Sequence, residues 1–131
     1  MNNLLMYQIP PEKSRIIKSI ALQHGFRIRV VQPEEAGLSV GALAGLPGAA
    51  MRGVGSEAPF EDEMLVLNNV PSDAFHSFLA QLRIKNVPVT LKAVVTEHNA
   101  RWSFARLHEN LAEEHRAMLA AKKNIHSPTD K

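Results

Sequence analysis

The stretch Lys92-Ala-Val-Val-Thr-Glu-His-Asn-Ala-Arg-Trp102 concentrates more chemistry than any other part of the sequence. It runs off an alternating strand into the start of a helix, where unpaired backbone N–H groups and the helix dipole favour an anion. Lys92, Thr96, His98, Asn99 and Arg101 add cationic and hydrogen-bonding side chains, and Trp102 is the chain's single tryptophan. Those types in that order describe a pocket for an anionic or planar ligand. A plainer reading uses the same residues: Asn99 caps the helix and Trp102 staples its first turn to the core. Such caps are routine, so the segment is a candidate site that competes with its own structural explanation.

The other clusters are weaker. His108 and His115 are seven positions apart, about 10 Å along a helix rising 1.5 Å per residue, whereas two metal ligands on one helix need a one-turn separation. The position four after His108 is Ala112, so His108-Glu109 lacks the second histidine of a metalloprotease helix. Glu113-Glu114-His115-Arg116 sets carboxylates beside a histidine, but adjacent helical residues point apart, and a solvated face accounts for them. Gly41-x-x-x-Gly45-x-x-Gly48 is neither a phosphate loop nor a dinucleotide fingerprint, and no Lys-Ser/Thr pair follows it. No nucleophile elbow is present. No metal and no cofactor is therefore expected. A small enzyme would have to use Lys92, His98 or His115.

The elements that position these residues come in two similar sets. Leu4–Ile9 reads as a strand, followed by a helix opened by Pro10-Pro11-Glu12 with the stripe Ile16, Ile17, Ile20, Ala21. Gly25 ends it, and Phe26–Val31 alternates as a half-exposed strand. Met64–Val70, a helix opened by Pro71-Ser72-Asp73 with Ser72 as N-cap, Asn86 in the place of Gly25, and an alternating Val87–Val95 repeat the order. Pro10 aligns with Pro71 at an offset of 61, and Ser39–Leu43 with Ser103–Leu107 at an offset of 64. The pattern predicts an internal duplication, with halves 4–45 and 64–121 inside one domain, 1–121.

Between the halves, residues 46–62 are rich in glycine and proline, which predicts a mobile loop that orders on partner binding. A long helix capped by Asn99 or Ser103 follows the last strand, with the stripe Phe104, Leu107, Leu111, Met118. From Lys122 the periodicity stops, predicting a flexible tail over 122–131.

Two tandem β-α-β units most economically give an α+β ferredoxin-like plait, an antiparallel sheet in the order 4-1-3-2. The alternative is a small four-stranded parallel α/β sheet. Strands one and three, apolar at nearly every position, belong at the centre; strands two and four, which alternate, belong at the edges. Both faces of the centre are then apolar while the two repeat helices cover one. The final helix is the expected cover for the other, with a homodimer allowed in addition.

Composition narrows the setting. A chain of 131 residues with 45% hydrophobic and 21% charged residues fits one ordinary globular domain. It has no cysteine, which removes disulfides, thiolate catalysis and cysteine-based metal sites and fits a reducing cytoplasm. The N-terminal apolar run is too short for a signal segment or a membrane span. A net charge of +2 with both signs interspersed leaves no basic face, so a nucleic-acid partner through Arg27, Arg29 and Lys92 is disfavoured.

Met64-Leu-Val-Leu67, the helix after it, Val87-Pro-Val-Thr-Leu-Lys-Ala-Val-Val-Thr96, Asn99, Trp102 and Glu113-Glu114-His115 together resemble a bacterial family known only as a domain of unknown function. The resemblance covers roughly Glu63 to Met118, and Leu38–Gly45 is similar to the segment that precedes the domain in many members. It implies a small cytoplasmic α/β protein and marks Lys92, Thr96, Asn99 and Trp102 as a recurrent cluster, with no activity attached. The expected role is a non-enzymatic regulatory or interaction module that binds a protein or a small anionic ligand.

Overall fold

In the computed structural model, which describes residues 2–129 and side chains through residue 122, the chain opens with β1 (Asn3–Tyr7). Leu4, Leu5, Met6 and Tyr7 are all buried, so this strand has no solvent side and needs cover on both faces. α1 (Pro11–Gln23) follows, its prolines preset for a first turn and Glu12 placed where the dipole favours an acid. β2 (Arg27–Val31) lies parallel to β1, with Leu5 opposite Arg29. The chain then crosses to the far face and forms the single-turn α2 (Val40–Leu43).

The second set repeats the first: β3 (Met64–Asn68), α3 (Ser72–Ile84), β4 (Leu91–Val94) and α4 (Phe104–Thr129). β3 is buried at every position and pairs antiparallel with β1, Leu5 facing Val66, while β4 pairs parallel with β3. The sheet is therefore mixed and open, in the order β2-β1-β3-β4. This corrects the expected plait, whose order places the second strand beside the third. Each crossover here returns to the strand beside the one it left, so neither the fully antiparallel order nor the all-parallel alternative describes the sheet. The α+β class and the central position of strands one and three stand.

The two faces carry separate cores. α1 and α3 bury Ile17, Ile20, Phe78 and Leu82 against Leu4, Met6, Leu65 and Leu67. On the other face α2 and the first turns of α4 bury Val40, Leu43, Phe104 and Leu107 against Leu5, Tyr7, Met64 and Val66. The greasy reverse side is thus covered by α4 together with α2 from the first half. Turns match as well: Gln8 and Asn69 have φ of 55° and 57°, and Gly25 and Asn86 have φ of 76° and 57°. Asn tolerates this left-handed conformation better than most residues.

The halves meet at Ser39 and Ser103, which face each other in a β-bridge. The Val40 amide donates to the Trp102 carbonyl, and the Phe104 amide to the Leu38 carbonyl, both at 2.9 Å. Each serine caps its helix, accepting from the Ala42 and Arg106 amides respectively. Ser103, and not Asn99, is the cap of α4. Ser72 is the first helical residue of α3 and makes no side-chain cap.

The linker is pinned rather than free. Ser39 and Ser103 donate their hydroxyls to the Ala50 and Ser56 carbonyls, and Tyr7 Oη donates to the Phe60 carbonyl at 2.8 Å. Gly53 passes so close to Ser103 that an added Cβ meets its Cα and N at 2.3 Å. At the C-terminal end the backbone of α4 is helical to Thr129, past the start of the expected tail; residues 130 and 131 lie outside the described residues.

Gly53→Ala forces two backbones apart at the seam. It is expected to destabilise the fold by about 1–3 kcal/mol, as overpacking does, measured by urea unfolding. An unchanged midpoint contradicts the close approach.

Candidate functional site

The segment after β4 folds back on itself through side chain to backbone hydrogen bonds. The Asn99 amide donates to Thr96 Oγ1 at 3.0 Å, the Thr96 amide donates to Asn99 Oδ1 at 2.9 Å, and Asn99 Nδ2 donates to the Val94 carbonyl at 3.0 Å. Asn99 is buried and its hydrogen-bonding capacity is used internally. Thr96 and Asn99 therefore shape the junction, and the buried Asn99 presents little to a ligand.

The remaining members separate. Lys92 projects from the edge strand toward the α3 side, where its ammonium donates to the Val89 carbonyl. Although much of the side chain is exposed, loss of solvent around the ammonium lowers its pKa from the ordinary lysine value. His98 lies exposed against Trp102, ring centroids 5.3 Å apart, and Trp102 is half-buried with the Arg106 guanidinium 4.5 Å over its ring. Arg101 is exposed and borders a cavity that it shares with the linker.

Three cavities mark the surface; Lys92 borders one and Arg101 another, while His98 and Trp102 line none of them. The largest, about 630 Å³, is lined by Lys13, the acidic run Glu61–Glu63, Thr90, His115 and Arg116. Its charges are mostly spoken for: Lys13 Nζ is 2.8 Å from Glu63 Oε1 and donates to the Pro88 carbonyl, and His108 Nε2 is 2.8 Å from Asp62 Oδ2 while its ring stacks on Phe60. A second, about 390 Å³, is an apolar cleft between α3 and the Val87–Val89 lead-in, with Lys92 at its rim. The third, about 300 Å³, is formed where the linker's Leu46–Ala50 turn meets the β4–α4 junction, and it is lined by Ser39, Arg52, Val54, Ala100 and Arg101.

The sequence singled out Arg101 and the glycine-rich turn separately; the fold brings them together. Val54 pairs with Trp102, its amide donating to the Arg101 carbonyl at 2.8 Å, and this places Arg52 and Arg101 on one cavity. Nothing in the sequence marks Arg52, which sits in a breaker-rich run with no periodicity to aim it. Lys92, His98 and His115 occupy three different places and do not converge. Among the described residues no group of three or more His, Asp or Glu is placed to hold a metal ion, and no helix is long and apolar enough to cross a membrane.

These features define a layered α+β domain with a four-stranded open mixed sheet and an arginine-lined cavity at the seam between its halves. Residues 63–118 match the family model of a domain of unknown function, DUF3783. The match starts at the residue before β3 and ends within α4, so it spans the second half, including the Lys92–Trp102 segment. No curated protein and no solved structure matches the chain.

Two outcomes check the site's internal chemistry. Asn99→Ala leaves the Thr96 amide and the Val94 carbonyl without their partner and is expected to cost about 1–3 kcal/mol in chemical denaturation. Lys92 binds its proton less tightly in the folded chain than in the unfolded one. Between the two pKa values the unfolded chain holds more protons, so folding stability there rises with pH. The melting temperature of the wild type relative to Lys92→Met should therefore climb as the pH is raised toward the ordinary lysine range. A flat difference contradicts burial of the ammonium.

Proposed function

We propose that the chain is a non-enzymatic, cytoplasmic binding module whose ligand is a small anion carrying a carboxylate or phosphate, held at the seam cavity by Arg52 and Arg101. The observation that carries this reading is that Arg52 and Arg101, 49 positions apart in the sequence, both line one cavity of about 300 Å³. Guanidinium forks match carboxylate and phosphate oxygens, and pairs of them select a doubly charged or extended anion. Arg101 has no ion-pair partner among the described residues, and the 3.4 Å contact of Arg52 with Glu57 is solvent-exposed and weak enough to be exchanged for a ligand.

The larger cavity suits an anion less well, since three acidic residues line it. The scattered positions of Lys92, His98 and His115 give an enzymatic reading no assembled acid–base pair. Arg27 and Arg29 lie on the β2 edge and Lys92 on the β4 edge, at opposite sides of the sheet, which gives a nucleic-acid reading no continuous basic surface.

Common ancestry of the halves 4–45 and 64–121 belongs to the same proposal. It is supported by the matching turn conformations and by the seam, where Ser39 faces its counterpart Ser103. On this reading the cavity arose where two copies of one unit meet, with Gly37 and Arg101 at equivalent positions, 64 apart.

Titration with inorganic pyrophosphate, followed by Trp102 fluorescence and by amide chemical shifts, tests the site. Shifts are expected at Gly48, Ala50 and Arg101, with Arg52→Ala and Arg101→Ala each weakening binding at least about tenfold, the loss of roughly one charged contact. Arg101→Lys should not restore it. Absence of any response to about 1 mM pyrophosphate, a binding free energy of roughly −4 kcal/mol, contradicts the proposal.

A further inference from the structure

α4 outruns the sheet that it covers. Phe104 and Leu107 are buried against the second face, and Leu111 packs at its margin. The same helical stripe continues to Met118, which is 63% exposed, with Leu119 beside it at 53%. An apolar stripe that is core at one end of a helix and bare at the other calls for a cover from outside the chain. Ala121, three positions on, shares its face and is small enough for a second helix to approach closely.

The charges around Met118 say which cover fits. Glu114 lies one turn before it and Lys122 one turn after, and both are exposed. A two-fold axis crossing the helix at Met118 sets this methionine against its own copy. It also brings Glu114 of each helix opposite Lys122 of the other. A parallel pairing would instead oppose acid to acid and base to base, which is repulsive. The pattern is self-complementary in the antiparallel sense only.

From this we propose that α4 is a homodimer interface: the chain pairs with a second copy of itself through antiparallel packing of the helix beyond Leu111. Met118 and Leu119 form the buried seam, and Glu114–Lys122 contacts close its two ends. One helix pair buries less than a standard interface, so the dissociation constant should lie on the order of 1–100 µM.

Analytical ultracentrifugation of the full chain across that range tests the proposal. The expected result is a concentration-dependent shift from 14.5 kDa toward twice that mass. Met118→Glu should abolish the shift while leaving the melting temperature of the monomer unchanged, because the side chain is exposed in a single copy. Glu114→Lys should weaken dimerisation at least about tenfold, and adding Lys122→Glu to it should restore the wild-type constant. A wild type that stays monomeric at about 100 µM overturns the proposal. So does a dimer that survives Met118→Glu, or a double variant no tighter than Glu114→Lys alone.

Discussion

The structure is organised by the pairing of two strands that have no polar side. β1 and β3 lie antiparallel at the centre of the sheet, and their apolar residues are sealed on both faces. Strands of this kind cannot tolerate a wet face, because each exposed apolar side chain forfeits roughly 1.5–3 kcal/mol of burial. One helical layer is therefore insufficient. The chain meets the constraint with α1 and α3 on one side and with α2 and the start of α4 on the other. The crossings needed to bring α2 and α4 to the far side create the seam, and the seam creates the arginine-lined cavity.

At the seam the two halves exchange backbone hydrogen bonds across Ser39 and Ser103, and the linker threads over the junction. Seam and linker depend on each other. The serine hydroxyls that cap α2 and α4 also hold the linker carbonyls, and Gly53 leaves room for the backbone approach that this requires. A segment whose composition reads as mobile becomes ordered because its backbone groups find partners on both halves. The same contacts aim Arg52, which has no regular element of its own to orient it.

Much of this was legible in the residues. Burial pattern alone put strands one and three at the centre and two and four at the edges, and the offset of 61 anticipated the shared turn geometry of Gly25 and Asn86. Strand order was not legible, for a physical reason. The plait and the observed sheet both place the same strands centrally and at the edges; they differ in whether β2 lies beside β1 or beside β3 and in the direction of neighbouring strands, choices that side-chain burial does not encode. Within the Lys92–Trp102 segment the residue types are legible in the sequence, but the direction of each side chain is not. Thr96 and Asn99 satisfy each other, Lys92 turns to the α3 side, and only Arg101 reaches the cavity. Tyr7, whose hydroxyl anchors Phe60, acts through a contact 53 positions away, beyond the reach of local pattern.

The central claim concerns which strands touch, and interstrand nuclear Overhauser contacts read that directly. The observed order requires contacts between Leu5 and Val66, between Leu5 and Arg29, and between Val66 and Ala93. Contacts of β2 with β3, or of β4 with β1, would contradict it, and with it the seam on which the cavity depends.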